Sequence, residues 1–345
     1  MVPLFTAVGV AESDAREVVE ALVDADARGI GSHGLMLAPI YLTRIRSGSV
    51  STSATATVVT DAGAIAVLDA GGMLGLISAR EATDLAIAKA REFGVGLVTV
   101  RGAFHFGAAG SHARRAAEQG MLGLAAANTR PLLPAPGGAR AVVGNNPLAF
   151  AAPTDADPIV VDLAMSEVAL GRIRGAAAVG RAIPETWATD AHGVPTTDPQ
   201  AAIDGMLLPM GGHKGFGLAI TVELLTSVLA GGAVTSDVQG LYADPAVPYD
   251  STHTVLVIDP AAFTGADETR ARATVLAERV RSSPAVDAEH PVRVPGDRSA
   301  RTAADAAAAG IPLDPTTWRA LREIADELGV PWLLPSTEKD DDHAR

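Results

Sequence analysis

Helical spacing of apolar positions comes first in the chain: Ala15, Val18, Val19, Leu22 and Val23 fall on one face. Ser13, followed by Asp14 and Glu17, is the expected N-cap of that helix, and Gly29 its stop. The turn GIGSHGLMLAPIY (29–41) then breaks the pattern, and a short helix ends near Gly48. Residues 56–69 have strand character. Residues 73–93 return to helical spacing as far as Gly94. An apolar run, 95–100, leads through the turn RGAFHFGAAG into an alanine-rich helical stretch, 108–119, and a strand, 121–127, making a β-turn-α-β unit. Residues 128–144 form a Pro- and Gly-rich loop. Residues 148–152 and 159–163 predict buried strands, and MSEVALGRI restarts a helix. Residues 183–198 are turn chemistry. LPMGGHKGFG (208–217) opens a segment that is apolar on every face to Leu229, which predicts a helix buried in the molecule. A strand at 254–258, a helix at 267–283, a loop at 294–297 and helices at 302–309 and 315–328 complete the pattern. The charged segment 336–345 is expected to be disordered. Alternation of strands and helices places the chain in the α/β class.

Composition sharpens this. At 345 residues, with 48% hydrophobic and 19% charged, the chain can bury a large core. Only 4% is aromatic, so small aliphatic residues must fill that core. The division expected is an N-/C-terminal helical domain (1–70 with 285–335) and a cofactor- and substrate-binding α/β region (71–284). A net charge of −13 argues against nucleic acid as a partner. The absence of cysteine removes disulfides, thiolate nucleophiles and cysteine zinc sites. No uncharged apolar run reaches membrane-span length, and the first ten residues lack a signal peptide's positive start, so no membrane partner and a cytoplasmic location are expected.

The glycines of the central turn lie at 102, 107 and 110. A dinucleotide loop needs G-x-G-x-x-G directly after the strand, so the Rossmann reading is rejected. His105, at a strand end between Phe104 and Phe106, is either a packed core histidine or a site residue. His33 lies beside Ser32 in a glycine turn and is open to the same two readings. An imidazole is the natural proton carrier at neutral pH. Gly211-Gly212-His213-Lys214 at a helix start makes an anion site. Asp162 ends an apolar strand, as the N-cap of the following helix, a catalytic carboxylate, or both. Pro295-Gly296-Asp297 is a tight turn. The histidines lack metal-ligand spacing, and G-x-S-x-G is absent, so neither a metal site nor a serine hydrolase is expected.

Seven stretches in order resemble the type-2 malate/L-lactate dehydrogenase family, whose relatives include L-sulfolactate dehydrogenase, ureidoglycolate dehydrogenase and 2,3-diketo-L-gulonate reductase. They are DARGIGSHG ending at Gly34, RGAFHFGAAG (101–110), the run from Pro136 to Pro147, Asp162-Leu163-Ala164, IPETWATDAHGVPTTDP (183–199), LLPMGGHKGFGLA (207–219) and PGD (295–297). The resemblance implies a non-Rossmann α/β fold like that of L-sulfolactate dehydrogenase, with a mixed sheet flanked by helices. It implies a homodimer that interconverts a 2-oxo acid and a 2-hydroxy acid with NAD or NADP. Carried over, His33 and His105 line the site, one of them as acid/base, with Ser32 and Asp162 beside them. The cofactor contacts become Thr129, Asp162, Leu163, Ala164, His213, Lys214, Pro295, Gly296 and Asp297. Three departures stand out. Leu37 occupies the place of a family arginine suited to a substrate carboxylate, which leaves Arg44, Arg46 or another cation for that task. PGD replaces P-G-E, and the N-terminus looks short against the family, by about one helix turn or more before Ala11. Arg130, Arg172 and Arg174 are available for a 2′-phosphate. A nucleotide- or anion-binding protein without catalysis, and a reductase of a cyclic imine carboxylate, are the alternative readings.

Overall fold

The computed structural model describes residues 1–332; the tail 336–345 lies outside them. In chain order the elements are α1 (Val2–Ala7), α2 (Glu12–Ala27), α3 (Ala38–Arg46), β1 (Thr57–Ala62), β2 (Ile65–Asp69), α4 (Gly75–Phe93), β3 (Val95–Ala103), α5 (Ala109–Glu118) and β4 (Leu122–Ala127). Then come β5 (Leu133–Pro134), β6 (Ala141–Val143), β7 (Leu148–Ala152), β8 (Ile159–Leu163), α6 (Leu170–Ala178), β9 (Ala188–Thr189), α7 (Pro199–Asp204), β10 (Met206–Leu207) and α8 (His213–Glu223). The chain closes with β11 (Ser251–Ile258), α9 (Ala266–Arg281), α10 (Asp297–Ala309) and α11 (Pro315–Leu328).

Seven strands form one twisted sheet in the order β1-β2-β3-β11-β4-β7-β8. Only β2 and β3 run parallel; the other neighbours are antiparallel. The β3–α5–β4 unit exists, but β11, far along the chain, inserts between its two strands and reverses the local direction. The sheet is therefore mixed and mostly antiparallel.

Small residues set the layer spacing. On one face, Ala109, Ala113 and Ala117 of α5 lie on Ala125, Ala127, Ala149 and Ala151. On the same face, beside α5, α4 lies so close to β3 that a Cβ on Gly96 would meet the Ala86 carbonyl. A chain with few aromatics can pack this way because alanine lets helix and sheet backbones approach closely. α2, α3 and α4 share the main core with β2, β3 and β11. The C-terminal helices return to the N-terminal ones, α10 against α2 and α11 against α1 and α3. Leu133, Val143, Met165, Ile173 and Ala219 form a second core under α6 and α8.

Three sequence expectations fail. The strand at 159–163, expected to be buried, is the edge strand β8, and its Leu163 is exposed. Ala11, not Ser13, is the N-cap of α2, without a side-chain cap bond. The apolar segment 218–229 is not buried within the chain: Leu218, Ile220, Leu224, Leu225, Val228 and Leu229 are all exposed. The all-round apolar pattern reports a surface that the chain alone leaves uncovered.

The sheet also aligns strand ends. Ala103 pairs with Ser251, His253 with Ala127, Ala126 with Leu148, and Leu148 with Leu163. The exits of β3, β4 and β8 and the entries of β11 and β7 thus share one edge.

Candidate active site

A cleft of about 1220 Å³ runs along that edge. It is larger than a typical small-ligand site of roughly 300–1,000 Å³. At one end His105, carried just past β3, stacks on His33 with ring centroids 5.6 Å apart. The two candidates, 72 positions apart in the numbering from 33 to 105, meet face to face.

Each is held from behind. Asp26 accepts the Leu35 N–H at 2.8 Å and anchors the turn that carries His33. Ser32 Oγ lies 2.9 Å from His33 Nδ1, and Ser32 itself is exposed at the cleft mouth. Behind His105, the buried Tyr41 hydroxyl lies 2.6 Å from Nδ1, and the Gly107 N–H donates to the same nitrogen at 3.4 Å. A backbone N–H can only donate, so Nδ1 is the acceptor. Burial raises the Tyr41 hydroxyl well above its ordinary value, so it keeps its proton and donates too. These partners assign the proton of neutral His105 to Nε2. Burial first, then the like charges of His33 and His253, push His105 down to about 3; burial also lowers His33. Phe106, the next residue, is clamped between the rings of His112 and His253, at 5.1 and 4.7 Å.

The middle of the cleft is built from the β4 exit. Thr129 donates its N–H to Asn146 Oδ1 at 2.9 Å and its hydroxyl to Asn145 Oδ1 at 3.0 Å. Asn146 in turn donates to Glu223 at 2.8 Å. That buried carboxylate also takes the Thr235 N–H and the Ser227 hydroxyl, which fixes α8 to the site.

At the far end stand Asp162, Leu163 and Ala164. Asp162 accepts the Gly110 N–H at 2.9 Å. It therefore caps α5, packed beside it, and not the helix that follows it in sequence. Burial raises its pKa, opposed by the Gly110 bond. Pro295 accepts the Val160 N–H at 3.0 Å, docking the PGD loop onto β8. Pro295 and Gly296 line the cleft, as do Arg298 and Ser299 in the first turn of α10. Asp297 turns away, paired with Arg281 at 2.6 Å. His213 and Lys214 are exposed at the start of α8 and do not line this cleft.

Two cations considered for the substrate carboxylate are occupied elsewhere. Arg44 is wholly buried, and its guanidinium donates to the carbonyls of Gly240, Leu241 and Val247 at 2.8–3.0 Å. It is a clamp on the loop that brings Tyr242 and Tyr249 to the cleft. Arg46 pairs with Glu327 on the outer surface. Sequence reasoning missed Tyr41, Tyr249 and Arg298. The signal for the first two was scarcity: the chain has three tyrosines, and all gather around this end of the cleft.

Among the described residues, no group of three His, Asp or Glu side chains is arranged to hold a metal. A dinucleotide fits better. The strands from β3 to β8 span about 19 Å at the usual strand spacing. Gly107, Ala108, Ala109 and Gly110 give a floor without bulky side chains, and the first turn of α10 with Arg298 supplies an anion-favouring end.

A family model described as malate/L-lactate dehydrogenase matches residues 1–322. The chain is 36% identical over 327 residues to L-sulfolactate dehydrogenase of Methanothermobacter thermautotrophicus, covering 95% of this chain and 94% of that one. It is 40% identical over 258 residues to (2R)-3-sulfolactate dehydrogenase (NADP(+)) of Chromohalobacter salexigens, covering 74% and 77%. Its fold matches the solved sulfolactate dehydrogenase from Methanocaldococcus jannaschii with a TM-score of 0.90 at 33% identity, over 95% and 94% of the two chains. No helix among the described residues is long and apolar enough to cross a membrane. With the same fold over nearly its whole length and the motifs of His33, His105, Asp162 and Pro295-Gly296 around one cleft, the chain belongs to the malate/L-lactate dehydrogenase family of NAD(P)-dependent oxidoreductases acting on CH–OH groups.

Proposed function

We propose that this chain interconverts a 2-hydroxy acid and a 2-oxo acid at the His33–His105 pair, with His33 moving the proton. The supporting observation is the unequal wiring of two stacked imidazoles. The Nδ1 of His105 is sealed by Tyr41 and Gly107, whereas His33 connects through Ser32 to solvent. In reduction, protonated His33 donates to the oxygen that gains negative charge; in oxidation, neutral His33 takes the hydroxyl proton. Such transfer contributes about 10²–10⁴ in rate. His105, neutral and with its proton on Nε2, donates a fixed hydrogen bond to the same oxygen. When bound, the nicotinamide supplies or accepts the hydride. Thr129, Asp162, Leu163, Ala164, Pro295, Gly296 and Arg298 are the residues proposed to hold the cofactor along the cleft.

A homodimer is part of this reading. The apolar surface from Leu218 to Leu229 supports it, since a second copy would cover it. The contact roles of His213 and Lys214, on the same exposed helix, rest on that assembly, and Asp297 acts by holding the PGD loop. A cytoplasmic setting suits a cysteine-free chain.

The decisive assay is a panel of 2-oxo acids with NADH and with NADPH, followed by loss of nicotinamide absorbance. Turnover that His33→Asn lowers by 10² or more, while cofactor binding persists, agrees with the proposal. An unchanged kcat in His33→Asn refutes the proton role. For the assembly, Leu224→Glu with Val228→Glu should convert a dimer to a monomer in light scattering; a wild-type monomer refutes it.

A further inference from the structure

Two of the three tyrosines have an evident place. Tyr41 gives its hydroxyl to His105, and Tyr242 is exposed on the cleft wall. Tyr249 is different. The residue is buried to 6% exposure, yet among the described residues its hydroxyl makes no hydrogen bond, and that oxygen is not sealed from the cleft the residue lines. A hydroxyl held in an apolar wall with no protein acceptor is set to donate to whatever occupies the cleft.

The ring is closely placed. Its centroid lies 5.4 Å from that of Phe104 and 6.3 Å from that of His105, edge-on to both at 75° and 83°. The loop behind it is tied down. The Gln239 N–H donates to the Tyr249 carbonyl at 2.9 Å, and Arg44 gathers the carbonyls of Gly240, Leu241 and Val247. One residue on, Asp250 turns the chain with a φ of +55° into β11, where Ser251 pairs with Ala103, two positions before His105. The pairing of β3 with β11 thus sets Tyr249 beside His105.

Charge selects what this hydroxyl can bind. Burial pushes it up to about 12, opposed by Arg130, which also lines the cleft, and by Arg44. It therefore keeps its proton at any working pH. A neutral donor in the field of two cations suits an anionic acceptor. Position narrows the choice further. With His33 and His105 on the two lone pairs of the reacting oxygen, a donor on the next ring meets the next group along the substrate. Rings 6.3 Å apart, each extended by a hydrogen bond of about 2.8 Å, serve adjacent groups of one small molecule. In every 2-oxo or 2-hydroxy acid, one group beside the reacting carbon is an anion, the C1 carboxylate.

We infer that the Tyr249 hydroxyl is a substrate contact, donating a hydrogen bond to the C1 carboxylate of the 2-oxo or 2-hydroxy acid. This rests on the reading of the cleft as a hydroxy-acid site. His33 and His105 hold the reacting oxygen, and Tyr249 holds the neighbouring carboxylate, so the acid is oriented from two sides.

The test is Tyr249→Phe, assayed with the best oxo acid of the panel at saturating cofactor. The substitution removes one oxygen and keeps the ring contacts with Phe104 and His105. KM for the oxo acid should rise about 10- to 100-fold, the size of a lost charge-assisted hydrogen bond. The kcat should fall less than about threefold, because the contact is made equally in the ground and transition states. The cofactor KM should keep its wild-type value, and the melting curves should coincide. Oxamate, which presents the same carboxylate beside an amide, should inhibit the variant more weakly by the factor seen in KM. A fall in kcat with KM unchanged would place the hydroxyl on the reacting oxygen and overturn the inference. A rise confined to the cofactor KM would assign it to the cofactor and overturn it as well, as would wild-type kinetics throughout. No turnover of any oxo acid by the wild type with either cofactor would instead overturn the underlying hydroxy-acid reading.

Discussion

Tyr41→Phe isolates the tautomer of His105. The substitution removes one oxygen from a wholly buried ring and leaves its edge-on packing against Phe104 in place. It deletes the 2.6 Å bond to Nδ1, so that nitrogen keeps only the 3.4 Å contact with the Gly107 N–H. A neutral hydrogen bond of this kind contributes about 1 kcal/mol net. With 1.36 kcal/mol per factor of ten, its loss removes most of the bias toward the Nε2–H form. The fraction of enzyme that presents a donor to the substrate oxygen falls accordingly. The expected result is a kcat about 2-fold lower in both directions, with cofactor KM unchanged. The rise of the oxidation rate with pH, set by His33 and centred below 6.5 because burial lowers that group, should stay where it was. Nitrogen-15 NMR of labelled histidine reads the tautomer directly: Nδ1 of His105 should be unprotonated in the wild type and partly protonated in the variant. A wild-type kcat together with an altered NMR pattern refutes the donor role; an unprotonated Nε2 in the wild type refutes the assignment.

Stability should fall on acidification from pH 7.5 to 5. Burial depresses His112 and His253 to about 4 and about 3, so the unfolded chain binds protons that the folded chain refuses; stability is complete above about 6.5 and declines below it. With His105, pushed down to about 3 as well, three such groups correspond to about 6 kcal/mol at pH 5 as an upper figure, measurable by urea unfolding, and pH-independent unfolding would contradict the buried-neutral assignment. Arg44→Met should cost about 2–4 kcal/mol and raise the KM for the acid substrate, because the carbonyls of Gly240, Leu241 and Val247 lose a shared donor and the Tyr242–Tyr249 loop is released; wild-type stability would show that the clamp is redundant. Gly110→Ala would bring a Cβ within 2.7 Å of Asp162 Oδ2. It should destabilise by about 1–3 kcal/mol and weaken cofactor binding, and an unchanged melting temperature would mean that the α5 cap is adjustable.

The reach of sequence reasoning differs from element to element. The bounds of β7 and β8 are legible to the residue because short apolar runs lie between turn residues, but the burial expected of them is not: β8 is an edge strand with Leu163 exposed, and Phe150 of β7 is exposed too. The end of α4 is equally plain, since Gly94 adopts the left-handed cap that other residues avoid. The N-cap of α2 is not legible: Ser13 has the favoured chemistry, but packing starts the helix a turn-fraction earlier at Ala11. Asp162 likewise looks like a cap for its own following helix, and instead caps α5 through space. The apolar segment to Leu229 reads as buried because periodicity reports only that a surface avoids water, not what covers it.

The sequence alone determined the fold class, the exclusion of cysteine chemistry and of a Rossmann loop, and the two histidines worth asking about. Those depend on local spacing and composition, which are properties of the chain itself. Tertiary structure decided that His33 and His105 stack, that Tyr41 sets the proton of one while Ser32 opens the other to water, and that Arg44 serves a loop. Each of these rests on contacts between residues far apart in the chain. They are created when β11 inserts between β3 and β4 and aligns their ends, a pairing whose free energy comes from the whole sheet and leaves no mark on any one segment.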